Sequence, residues 1–134
     1  MPGIIDVEGI GATYKKKLKE ADVATTEKLL EVAATPKGRK ELAEITGISE
    51  TLILEWVNLA DLYRIKGIGS EYSDLLEEAG VDTVVELAKR VPKNLHAKMV
   101  EVNDAKKLVR KMPTEDQVAD WVEQAKKLPR VVKY

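Results

Sequence analysis

The sequence has no cysteine and one histidine, His96. Without cysteine, neither a disulfide framework nor a thiolate metal site can form. One histidine likewise removes a His-rich zinc site and a paired-histidine relay. Uninterrupted aliphatic stretches are short, Leu52-Ile53-Leu54 being typical, against the roughly 20 apolar residues a membrane span needs. The opening Met-Pro-Gly-Ile-Ile-Asp carries no basic region and no apolar block of a secretory signal. A soluble, cytoplasmic chain without a membrane partner is expected.

What remains is globular in composition: 134 residues, 44% hydrophobic and 34% charged, which argues against long disorder. The length fits one domain or two small lobes of roughly 60 residues. A formal charge of −1 conceals an uneven distribution: residues 1–88 hold 10 Lys/Arg and 17 Asp/Glu, whereas residues 89–134 hold 12 and 6. Such asymmetry admits a local anionic partner, and equally an attraction between the two halves.

The strongest signal is a duplication. Val7-Glu8-Gly9-Ile10-Gly11-Ala12-Thr13-Tyr14 returns 58 positions later as Ile65-Lys66-Gly67-Ile68-Gly69-Ser70-Glu71-Tyr72, and 10 of the 23 positions from 7 to 29 are identical to 65–87. Further on, Ile53, Trp56, Val57 and Ala60 form an apolar helical stripe that recurs as Val118, Trp121, Val122 and Ala125, now 65 positions later. The second copy has therefore gained seven residues, which we place between about Lys89 and Met112. Two repeats, residues 1–62 and 63–134, are expected to pack as one compact unit, with both tryptophans in the core. Tyr14 and Tyr72, at equivalent positions, are expected to pack there too.

Local signals are helical throughout. Thr35 before Pro36 reads as an N-cap with proline at the first helical position, opening a helix to about Thr46 that Gly47 ends. Ser49 caps the next, from Glu50 to about Asp61. Thr83 with Glu86, and Thr114 with Gln117, read as capping boxes. The last helix is expected over about Glu115 to Leu128. Gly80, and its counterpart Asp22, stand where a helix must stop in a left-handed residue. No segment alternates with period two, so the fold class is all-α, with about eight to nine short helices.

Gly9-Ile10-Gly11 and Gly67-Ile68-Gly69 each precede a helix. Two glycines around one aliphatic residue permit a tight reversal, with the aliphatic side chain plugging the core. The following helix then offers free amides and a positive dipole end, an arrangement suited to a phosphate. Spacing alone leaves a plain packing turn equally open.

These turns resemble the helix-hairpin-helix motif, which implies a grip on the DNA backbone without sequence reading. Residues 8–60 also resemble the small N-terminal domain of archaeal and eukaryotic strand-exchange recombinases. The shared runs are Lys17-Leu18-Lys19-Glu20-Ala21, Val23-Ala24-Thr25-Thr26-Glu27, Leu42-Ala43-Glu44-Ile45 and Gly47-Ile48-Ser49-Glu50. Over its whole length the chain is similar to an uncharacterised prokaryotic family of helix-hairpin-helix domains of unknown function. The implied architecture is a tandem of duplicated hairpin pairs, similar to SAM and recombinase N-terminal domains. The terminal helix or its tail is expected beside the N-terminal hairpin, closing a pseudo-symmetric unit.

The hairpins differ. Thr46-Gly47-Ile48-Ser49 reads as a second hairpin, so each repeat would hold a pair: Lys15, Lys16, Lys17 and Lys19 follow the first, whereas Glu71, Asp74, Glu77 and Glu78 follow the third, at Gly67, and the fourth has lost its glycines (Lys111-Met112-Pro113-Thr114). The position just after the hairpin, often basic in DNA-binding members, is Thr13 in the first and Glu71 in the third. Lys37, Arg39 and Lys40 read as a solvated first turn. Lys106, Lys107, Arg110 and Lys111 have the spacing of a ridge on one helix face, serving either dipole compensation or a backbone contact. His96 reads as an exposed surface histidine.

No nucleophile elbow accompanies His96, Lys37-Gly38-Arg39-Lys40 lacks nucleotide-loop spacing, and adjacent carboxylates such as Glu77-Glu78 diverge on a helix. The expectation is a non-enzymatic, sequence-independent DNA-binding module. Its contacts would come from Gly9, Ile10, Gly11, Thr13, Lys15, Lys16 and Lys19, from Gly47 and Ser49, and from Gly67, Ile68 and Gly69. The resemblance allows a monovalent cation on hairpin carbonyls but does not require one; no other cofactor is expected. The alternative is a helical protein-interaction adaptor in which the hairpins are only architecture.

Overall fold

The computed structural model describes residues 10–134; Gly9 lies outside them. Among the described residues there are eight helices and no strand: α1 (Ala12–Glu20), α2 (Thr26–Ala33), α3 (Pro36–Thr46), α4 (Glu50–Leu62), α5 (Ser70–Glu78), α6 (Val84–Ala88), α7 (Pro92–Lys106) and α8 (Glu115–Lys127). None is long and apolar enough to cross a membrane. The chain divides into two units, one running to Asp61 with Val131–Tyr134 added, the other Leu62–Arg130.

Short polar side chains start most of these helices. The hydroxyls of Thr25, Thr35, Thr83 and Thr114 each accept from the N–H three residues on, at 3.1–3.3 Å, satisfying amides a helix start leaves orphaned. Pro36 follows Thr35 at a position where its missing N–H costs nothing. Only one of the two expected capping boxes forms. Gln117 returns to the Thr114 N–H at 2.8 Å, but Glu86 turns instead to the Arg90 guanidinium at 3.3 Å. Arg90 also donates to the Gly80 carbonyl at 2.8 Å, so one arginine ties α6 to the turn before it. Gly80 (φ 96°), Gly47 (φ 75°) and the non-glycine Asp22 (φ 66°) adopt the left-handed conformation expected of them.

In the first unit, α3 packs against α1 and α2, and its buried residues include Leu18, Val23, Leu29, Leu42, Ile48, Ile53, Trp56 and Val57. The Tyr14 and Trp56 rings meet at 5.1 Å, joining α1 to α4. The tail completes this unit: the Lys133 N–H donates to the Ala34 carbonyl at 2.8 Å, and the Tyr134 hydroxyl bonds Asn58 at 3.3 Å. Val132, just before those anchors, is buried. The tail's described contacts are thus with the end of α2, with α3 and with α4.

In the second unit α8 packs on α6 and α7, and α7 on α5. Leu62, Ile65, Ile68, Leu75, Leu76, Val81, Leu87, Leu95, Met99, Trp121 and Val122 form its core. Tyr72 meets Trp121 at 5.3 Å, the same pairing one repeat later. The extra residues of this copy enlarge α7 to 15 residues against 11 in α3 and lengthen the connection after it. Both changes leave the Tyr–Trp contact in place.

Candidate functional site

Ile10 is buried and Gly11 exposed, so the turn before α1 plugs the core with one residue and leaves the next open. Gly11 caps α1 with extended backbone (φ −92°, ψ −173°) and no side-chain hydrogen bond. A Cβ added there would meet nothing within 4 Å. The first turn of α1 holds no acid, and its leading amides have no intrahelical acceptor. Thr13, Lys15, Lys16, Lys17 and Lys19 are all exposed, while Leu18 turns inward. At 100° per residue Ala12, Lys15, Lys16 and Lys19 share the outward face. Among the described residues none of these lysines is ion-paired.

The turn before α5 is likewise capped by a glycine, Gly69, with extended backbone, no side-chain hydrogen bond and open space about it, so the turns differ in charge and in the bonds around them. After α3, the Ile48 N–H donates to Thr46 Oγ1 at 3.2 Å, and Ser49 Oγ accepts from the Leu52 N–H at 3.2 Å. Glu50 adds a negative charge at the start of α4. At the turn Lys66–Gly69, the Gln124 amide accepts from the Lys66 N–H at 2.9 Å and donates to its carbonyl at 3.1 Å. Gly67 has φ 99°, and a Cβ on it would lie 2.9 Å from Trp121 Nε1. Ile68 is buried, Gly69 is exposed, and Glu71 opens α5. Gln124 carried no signal in the sequence, because its partner is a backbone 58 residues away.

A family model described as "Domain of unknown function (DUF4332)" matches residues 8–128, spanning all eight helices. The chain belongs to the DUF4332 family. Neither the curated proteins nor the solved structures contain a match to it.

Two basic clusters of this DUF4332 chain differ from the reading of the sequence. Arg39 is not part of a solvated turn: it is 5% exposed and donates to the carbonyls of Ala33 (3.1 Å), Ala34 (3.0 Å) and Lys133 (2.8 Å). Burial lowers its pKa below the ordinary arginine value, with Tyr134 and Glu50 acting the other way. Lys37 and Lys40 stay exposed. The second cluster is not a helix ridge. α7 ends at Lys106, which pairs with Glu78, and Lys107 is a left-handed cap at φ 55°. Arg110 and Lys111 lie in the following connection. His96, expected at the surface, is half-buried with Nε2 2.9 Å from the Pro113 carbonyl. Among the described residues no group of three or more His, Asp or Glu side chains gathers as a metal site would require.

Proposed function

We propose that this DUF4332 chain is a non-enzymatic, sequence-independent DNA-binding module of helix-hairpin-helix type. A backbone phosphate would sit at the start of α1 against the amides that follow Gly11, and Lys15, Lys16 and Lys19 would neutralise its neighbours. The observation that carries the reading is the contrast among glycine turns. Among the described residues the first turn of α1 holds no acid and its lysines make no ion pair, whereas Ser49 caps the helix after Gly47, and Gly69, as open as Gly11, is followed by Glu71 in the first turn of α5. Helix starts of the first kind attract phosphate through both amides and dipole. The resemblance to recombinase N-terminal domains supports the same reading, and a monovalent cation on turn carbonyls is compatible with it.

Labelled duplex and single-stranded DNA titrated at low and moderate salt test this. Binding should weaken steeply with salt, because phosphate contacts release counterions. It should also fall in Lys15→Glu/Lys16→Glu. No binding at low salt, or binding indifferent to the double change, rejects the assignment.

A second reading, a protein-interaction adaptor, is favoured by Ile45. That side chain is 72% exposed at the rim of an apolar groove of about 190 Å³ lined by Ala21, Val23, Val32 and Leu42. An adaptor would keep its partner after nuclease treatment and lose it in Ile45→Asp.

A further inference from the structure

We propose that the connection between α7 and α8 is a second polyanion-contacting surface, presenting Lys107, Arg110 and Lys111 to a nucleic-acid backbone. The proposal rests on the DNA-binding reading for its choice of polyanion, and it gives the second unit a contact of its own.

The first unit places Gly47 just after α3, at φ 75°, where glycine is free of strain. The second unit places Lys107 at the equivalent cap of α7, at φ 55°, a conformation that lysine adopts against its preference. A glycine would close that helix more cheaply, so the retained cation points to a use outside folding.

The segment that follows is held firmly. Asn103 bonds both backbone groups of Val109, at 3.0 and 3.3 Å. The Tyr72 hydroxyl donates to the Lys111 carbonyl at 3.0 Å, and His96 bonds the Pro113 carbonyl. Val109 and Pro113 are buried, and Leu108 and Met112 pack against the core. The residues that remain outward are Lys107, Arg110 and Lys111, all exposed. Among the described residues no ion pair joins them to an acid. Three cations without an ion pair among the described residues, set within five residues, repel one another, and the hydrogen-bonded backbone keeps them together without a backbone-ordering cost on binding. A flexible acidic peptide could screen them singly, but the closely spaced charges of a phosphate backbone suit three cations held on one short segment, and the arginine can fork two phosphate oxygens.

The test uses the full chain and a labelled DNA duplex, with affinity measured across a salt series. The loop variant Lys107→Glu/Arg110→Glu/Lys111→Glu is compared with Lys89→Glu/Lys93→Glu/Lys127→Glu. That control has the same change in net charge at other exposed positions of the second unit. The loop variant should lose on the order of tenfold or more in affinity at moderate salt and about 2–3 in the slope of log K against log salt, and the control much less. A loop variant carrying three glutamines, checked by thermal melting, keeps the test decisive should the charge-reversed chain fold poorly. Equal losses in loop and control variants would overturn the proposal while leaving the α1 site standing. Failure of the unmodified chain to bind DNA at low salt would overturn both.

Discussion

The side-chain amide of Gln124 grips Lys66 by both its backbone N–H and its carbonyl, at 2.9 and 3.1 Å. A repeat earlier, the residue in Gln124's place is Leu59, buried and without a hydrogen-bonding group. One substitution between the copies thus puts a hydrogen-bonding amide in α8 where α4 has an apolar side chain. Replacing Gln124 by leucine should cost about 0.5–1.5 kcal/mol, the net worth of such bonds near solvent. Urea unfolding gives the loss, and faster amide exchange at Lys66 should accompany it.

Gly67 and Gly11 should respond oppositely to alanine. At Gly67 the φ of 99° and the Trp121 Nε1 contact at 2.9 Å both oppose a methyl group, so Gly67→Ala should destabilise by about 1–3 kcal/mol. At Gly11 the backbone is extended and the space open, so Gly11→Ala should cost less than about 1 kcal/mol. Under the DNA-binding proposal it should still weaken binding by obstructing the approach of a phosphate. Paired melting and binding curves separate the two effects.

Arg39 supplies a third prediction. Arg39→Met leaves the carbonyls of Ala33 and Lys133 without this donor, and that of Ala34 with the Lys133 N–H alone, at a cost of about 2–4 kcal/mol. Arg39→Lys should recover little, since one ammonium cannot reproduce the fork. The sign of the pH dependence follows from burial, which lowers the folded pKa below the ordinary arginine value. For a base, stability then rises only as pH climbs through that lowered value. The difference between wild type and variant should be flat from about pH 5 to 9, where arginine is charged in both states. Chemical denaturation at several pH values measures it.

The two threonine caps of the second unit offer a fourth. Thr114→Ala should cost about 1 kcal/mol, and Gln117→Ala a fraction of that, because each side of the box carries one bond. Glu86→Ala should leave the Thr83 cap intact and instead release Arg90 from α6. Thermal melts rank the three.

The fold was legible where the signal is local. Thr35-Pro36, Gly47, Ser49 and Gly80 each act on neighbours within a few residues, and their helix ends fall within one residue of the sequence reading. The Tyr14–Trp56 and Tyr72–Trp121 contacts were foreshadowed by the repeat, since the tryptophans sit on matching apolar stripes and the tyrosines at equivalent positions. Long-range roles were not legible. Arg39 looked like one more surface cation because the Lys133 carbonyl it binds is 94 residues away. Lys107 and Arg110 looked helical because their spacing is, while the Asn103–Val109 bonds that hold the segment after α7 leave no periodicity behind. At the α1 site the exposed lysines were readable from their run; the openness of Gly11 depends on neighbours that no spacing rule specifies.

Each unit contains a single indole lodged against a phenol ring, Trp56 in one and Trp121 in the other. Fluorescence from variants keeping only one tryptophan would therefore report on one half of the molecule at a time. Whether the halves melt together or in sequence becomes an optical measurement needing no attached dye.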